Sequence, residues 1–337
     1  MTFAHRLRKA CERWDGMRFA IAALLLLAVI QPAGPPLALV RTIELPGVEG
    51  RIDHLAFDPD GGHLFVAALG NNSVEVLDTQ ASAHLKHLAG FQEPQGIAYI
   101  ADVHAVAVAN GQGTGAQMID AGDFHALHTI ALGDDADNVR YDAAAKRFYV
   151  GYDGGALAAI DFSGRLIGRV PLAAHPESFQ LETAGPRIYV NVPSAGHIAV
   201  VDRQAMRVVA TWPVTAARAN YPMALDEEGR RLFIGCRRPA VALVYDTASG
   251  KQLASFQIVG DTDDMFFDAA RKRLYVTGGD GFVDVFSTAD AKYDRLAHIP
   301  TAAGARTSLF VKQQSRLYVA VPHRGSQRAA IQVFEAR

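Results

Sequence analysis

Cysteine is scarce in this chain: only Cys11 and Cys236 occur in 337 residues. That count excludes a disulfide scaffold and a cysteine-based zinc ribbon. Cys236 reads as a small apolar side chain rather than a nucleophile. Several catalytic signatures are missing too. The chain has no H-E-x-x-H, no C-x-x-C-H and no G-x-S-x-G, so zincin, covalent-haem and α/β-hydrolase chemistry lack their usual residues. "GQGTGA" (111–116) has dinucleotide-loop spacing, but no helical segment follows it to bind a phosphate at its N-terminus. "DPDGG" (58–62) starts like a calcium loop, yet its twelfth position is Leu69, where a bidentate Glu is needed. A basic surplus is also absent. Lys and Arg total 33 against 35 Asp and Glu, which argues against a nucleic-acid partner held by phosphate contacts.

Long apolar runs are few. The notable one, "FAIAALLLLAVI" (19–30), follows the basic residues Arg6, Arg8, Lys9, Arg13 and Arg18. It is too short to cross a bilayer easily and matches the h-region of a secretory signal. Residues 1–38 are therefore expected to be a signal peptide. Met17 is an alternative start, and an uncleaved anchor is the alternative fate. The remainder carries a net charge of −5. It is expected to be a periplasmic or secreted monomer with no membrane span.

What the chain does contain is a repeat. "NVRYDAAAKRFYVGYDGG" (138–155) returns as "DMFFDAARKRLYVTGGDG" (264–281), 126 residues later. A shorter period lies inside that distance. The apolar anchors Leu64, Val106, Phe148, Ile188, Leu232, Leu274 and Leu317 are 42, 42, 40, 44, 42 and 43 residues apart. Each unit holds four short segments with strand composition and no helical period. Seven units of this length predict an all-β, seven-bladed β-propeller. The blades lie near 53–90, 95–132, 137–172, 177–214, 221–259, 264–300 and 306–337. The last unit lacks a fourth strand, and 39–46 resembles one. The prediction is that this N-terminal strand closes the last blade, with Val40, Ile43 and Leu45 buried.

The "RxYV" second strands and "VxVxD" third strands resemble the YVTN-type (YncE-like) β-propeller repeat proteins of bacteria. The resemblance covers roughly 39–337. It places the chain beside a wider superfamily that includes quinoprotein amine dehydrogenase chains, d1-haem domains and seven-bladed lactonases. It implies a fold and leaves activity open. Single-stranded nucleic acid binding is a further possibility by analogy with YncE-like proteins, weakened by the acidic charge and by Tyr221 being the only aromatic among the positions considered next.

Residues that recur in every unit serve the fold, and residues that vary at one equivalent position are free for other work. The turns after strand one recur. The starts of strand one vary: Asp53-His54, Gln95-Gly96, Asp137-Asn138, Glu177-Ser178, Tyr221-Pro222, Asp263-Asp264 and Arg306-Thr307. In a propeller these starts converge on one mouth of the central channel. The predicted ligand site is therefore Asp53, His54, Asp137, Asn138, Glu177, Asp263, Asp264 and Arg306. Crowded carboxylates beside His and Asn suit a polar ligand or a divalent cation. Three functions follow. The first is a binding propeller for a small polar molecule, peptide or protein. The second is a metal-dependent, lactonase-like hydrolase or lyase, with Glu177 and Asp264 as candidate metal ligands and His54 as candidate acid–base. The third is a redox-associated propeller, suggested by the superfamily resemblance alone.

Overall fold

A computed structural model describes residues 34–337, and the expected signal segment up to residue 33 lies outside the described residues. Residues from Pro35 to Arg337 form one unit of seven four-stranded antiparallel sheets. The seven-bladed propeller is as the repeat predicts. Among the described residues no helix is long and apolar enough to cross a membrane.

Each blade stacks on two neighbours, so its second strand is buried on both faces and is apolar at nearly every position. In blade three this strand, Arg147–Tyr152, buries Phe148, Tyr149 and Val150 completely. The outer strand, Leu166–Pro171, meets water and buries only Val170. Cores form between blades rather than within them: Phe65 of blade one packs with Val106 and Val108 of blade two. The anchors share one register. Phe57 faces Leu64, Tyr99 faces Val106, Tyr141 faces Phe148, Leu181 faces Ile188, Leu225 faces Leu232, Phe267 faces Leu274 and Phe310 faces Leu317.

The recurring aspartates hold turns. After strand one, the Oδ1 atoms of Asp58, Asp142, Asp226 and Asp268 accept backbone N–H groups of Asp60, Ala145, Gly229 and Ala270 at 2.9–3.1 Å. After strand three, Asp78, Asp120, Asp161, Asp202 and Asp246 do the same for the turn into strand four. These side chains mimic a backbone turn.

The ring closes through the N-terminal strand, which runs Leu37–Glu44, two residues earlier than the predicted start. It pairs antiparallel with the third strand of blade seven, Leu37 opposite Ala336 and Glu44 opposite Ala330. One detail differs from the expectation for this strand. A register shift between Leu39 and Arg41 turns Val40 outward, where it is 45% exposed. Leu37, Ile43 and Leu45 are the residues buried here.

Candidate functional site at the channel mouth

In blades one, three and four the variable residues are placed by one shared backbone pattern. The N–H groups of Asp53, Asp137 and Glu177 donate to the carbonyls of Ala67, Gly151 and Asn191 at 2.7–3.0 Å. The carbonyls of His54, Asn138 and Ser178 accept N–H groups from those same three residues at 3.0–3.1 Å. Each pair is thus pinned to its own second strand, and its side chains project into the channel. In blade two the space is taken by backbone. A Cβ on Gly96 would lie 2.0 Å from the Asp137 carbonyl oxygen, so no larger residue fits beside blade three there.

Arg51, Asp53, His54, Asp137, Asn138, Glu177, Ser178, Tyr221 and Asp263 line one cavity of about 20 Å³. That volume suits one water or one ion. Charges inside it are partly paired. Arg51 Nη2 lies 2.6 Å from Asp53 Oδ2, and Arg237 Nη2 lies 2.7 Å from Asp263 Oδ1. The Arg237 guanidinium also sits 4.0 Å above the Tyr221 ring, a cation–π contact. His54 is 3.4 Å from Asp264 Oδ2 and 3.7 Å from Asp53 Oδ1. Those pairs leave Glu177 out.

The crowding shifts protonation. Burial, then the nearby Asp137 and Asp263 charges, push Glu177 up to about 9. Burial also raises Asp263 to about 7, against the pull of Arg237. Burial works against a charge on His54, but Asp264, Asp53 and Asp137 more than offset it and hold the imidazole up at about 10. His175 follows the same logic: burial opposes its charge, while Asp137, the Asp153 carbonyl and Asp135 raise it to about 9. Like charges held close in a poorly hydrated place share protons in this way.

Most predicted site residues meet in this cavity. Asp53, His54, Asp137, Asn138, Glu177 and Asp263 come together there. Asp264 stands just behind, with its Oδ2 accepting the Ser308 N–H at 2.8 Å as well as facing His54. Arg306 does not line the cavity. It turns to Asp261, 3.1 Å away. The candidate metal pair Glu177 and Asp264 is also rearranged. The residues whose donor atoms converge on Glu177, all within 4.8 Å of one another, are Asp137 and His175. His175 and Arg51 are not predicted from the sequence because they precede strand one by two residues more than the positions compared. Arg140 is missed because it lies within the strand, where it reaches toward Ser178 Oγ at 3.4 Å. One backbone feature sets the missed pair apart: at that earlier position Glu93, Asp135, Ala219, Asp261 and Gly304 all have positive φ, whereas Arg51 and His175 do not. Cys236 is buried in the second strand of blade five, and burial pushes its thiol up to about 12, which makes it a poor nucleophile.

Comparison with known proteins returns fold and little else. No protein-family model matches the chain, and no curated protein matches it either. Among solved structures, a chain of Kuenenia stuttgartiensis hydrazine synthase is similar at a TM-score of 0.71 and 16% identity, covering 82% of this chain and 95% of that one. At that identity the likeness is one of fold.

Proposed function

We propose that this chain is an exported, YVTN-type propeller that binds a small polar molecule, or a polar group of a peptide or protein, at the channel mouth. One observation carries the reading. Charged side chains that serve no turn and no ladder are collected from blades one, three, four and six, with Tyr221 of blade five, into one buried cavity. Such a cluster is costly for the fold alone. Tyr221 and Arg237 at its edge supply the aromatic face and fixed cation that polar ligands use for orientation. Thermal-shift screening of lactones, sugar acids and short peptides tests it. Compounds that stabilise the parent protein should lose their effect in the Tyr221→Ala/Asp263→Asn double variant. Retained shifts in that variant would place binding elsewhere.

A second reading, metal-dependent hydrolysis of a lactone-like ester, is favoured by the donor set of Asp137, His175 and Glu177. His54, beside Asp264, has the geometry of an oriented acid–base. Turnover of any lactone that vanishes in His54→Gln would support it.

A further inference from the structure

Three groups of His and carboxylate donors converge among the described residues: Asp58, Asp60 and His104; Asp120, Asp123 and His125; and Asp137, His175 and Glu177. The fold accounts for the first two. Asp58 Oδ1 holds the Asp60 N–H, and Asp120 Oδ1 holds the N–H groups of Gly122 and Asp123. Those aspartates stand at recurring turn positions, and His104, Asp123 and His125 are exposed. Neither explanation reaches the third group. Asp137 is 7% exposed, it occupies no turn, and its Oδ2 lies 4.0 Å from His175 Nε2, too far for a hydrogen bond.

Three further features mark that third group. The His175 ring is already oriented: its Nδ1 lies 2.8 Å from the Asp153 carbonyl oxygen and 3.3 Å from Asp135 Oδ2. A ligating histidine is typically held in this way, one ring nitrogen donating to a carbonyl or carboxylate and the other facing the metal. Next, Asn138 is 2% exposed, lines the same cavity, and its Oδ1 is buried without a hydrogen-bond partner. A buried acceptor left unpaired costs roughly 1–3 kcal/mol, and it is an oxygen donor that a cation satisfies. Finally, Asp137, Asn138 and Glu177 line the cavity of about 20 Å³, with His175 outside its lining, and that cavity has room for one ion and little more.

We propose that Asp137, His175 Nε2 and Glu177 bind one first-row divalent ion of the Zn²⁺ type, with Asn138 Oδ1 facing it. The choice of ion follows from the donors. An imidazole nitrogen among carboxylates suits Zn²⁺ and its neighbours, while Ca²⁺ takes six to eight oxygens and Mg²⁺ keeps several waters, for which this cavity is too small. Donors on one zinc sit about 2.0–2.2 Å from it and hence roughly 3.3 Å from each other. The three side chains, now within 4.8 Å, need only modest rotation inward. The ion also offsets the crowding of Asp137 and Glu177. Three protein ligands leave a coordination position open toward the mouth, as in zinc sites that take a water or substrate oxygen. The inference deepens the ligand-binding reading above by naming what the mouth holds, and it is tested with metal alone.

The experiment uses the full propeller, loaded with Zn²⁺ or Co²⁺ and then dialysed against metal-free buffer. The expected result is one equivalent of Zn²⁺ retained, a rise in Tm on adding Zn²⁺, and a visible Co²⁺ spectrum that Zn²⁺ quenches. His175→Ala and Glu177→Gln should each weaken Zn²⁺ at least about 100-fold, and Asn138→Ala about tenfold. Asp123→Ala, in the exposed cluster, should change nothing. Glu177→Gln keeps the side chain's shape and removes only its ability to ionise, so its fold is retained and the loss is read on a folded protein. No retained ion, retention of Ca²⁺ in place of Zn²⁺, equal affinity in His175→Ala and Glu177→Gln to that of the parent, or loss in Asp123→Ala overturns the proposal. The compound screen is run with and without Zn²⁺. A protein that holds Zn²⁺ but no compound fails only the ligand reading, and one that holds a compound but no metal fails only this one.

Discussion

Strand one of blade six begins beside Asp263 and Asp264 and ends at Asp268, and its two ends use the same residue type differently. Asp268 Oδ1 accepts the N–H groups of Ala270 and Arg271, and its Oδ2 takes the Tyr275 hydroxyl and Arg271 Nη1, all at 3.1–3.2 Å. The charge there is matched by fixed donors and repeats in other blades. Five residues earlier, Asp263 shares its surroundings with Asp53 and Asp264, and burial raises it to about 7. A carboxylate with fixed backbone donors builds structure. One crowded against other carboxylates is tolerated, and its cost marks it for another role.

The coarsest way to break this comparison is to open the ring that supports both ends. Deleting Leu37–Glu44 removes the buried Leu37 and Ile43, each worth ~1.5–3 kcal/mol, and leaves an unpaired edge on blade seven. We expect loss of a cooperative melt by circular dichroism. Next comes the turn end: Asp268→Ala should cost ~1–3 kcal/mol, because it strands the buried Tyr275 hydroxyl and takes the acceptor from two N–H groups of the turn, read as a lower urea midpoint with unchanged slope.

The mouth end should respond with the opposite sign. Glu177→Gln, in metal-free buffer at pH 8, should raise stability by about 1–3 kcal/mol. The sign follows from the shift: burial lifts Glu177 from its ordinary 4.5 to about 9, so the folded state holds a proton that the unfolded chain gives up. Stability is full below about 4.5 and is lost as pH rises toward 9. Asp263, raised to about 7, and His54, raised to about 10, act in the same direction. The parent Tm should therefore fall between about pH 5 and pH 9, and the slope should be shallower in Glu177→Gln. A variant less stable than the parent at pH 8 would make Glu177 structural. The smallest effect is at the rim. Arg306→Ala should cost less than about 1 kcal/mol, since its pair with Asp261 is partly exposed.

The fold was legible in the sequence because propeller blades are near copies. Leu64, Phe148 and Leu274 stand at one register position, and their spacing alone announces the period. The site was legible to the extent that it breaks the copy. Asp53, Asp137 and Glu177 stand out because blade two has Gln95 and blade five has Tyr221 at the same place. His175 was hidden by its loop, since no pattern of alternation tells how far a loop residue reaches back into the channel. Val40 was misplaced for a similar reason: a single register shift turns a side chain over, and nothing in "LVRTIEL" marks where it falls.

The pairing of Leu37 with Ala336 has a consequence in time. A ring is finished by the contact with the greatest loop to close, which makes it a late and slow step. The channel mouth draws on residues from blades one, three, four, five and six, so it has its working shape only once the two ends of the described chain have met. An open chain carries all these carboxylates yet has no mouth. Whatever binds there binds the closed ring alone and pulls the last latch shut by mass action.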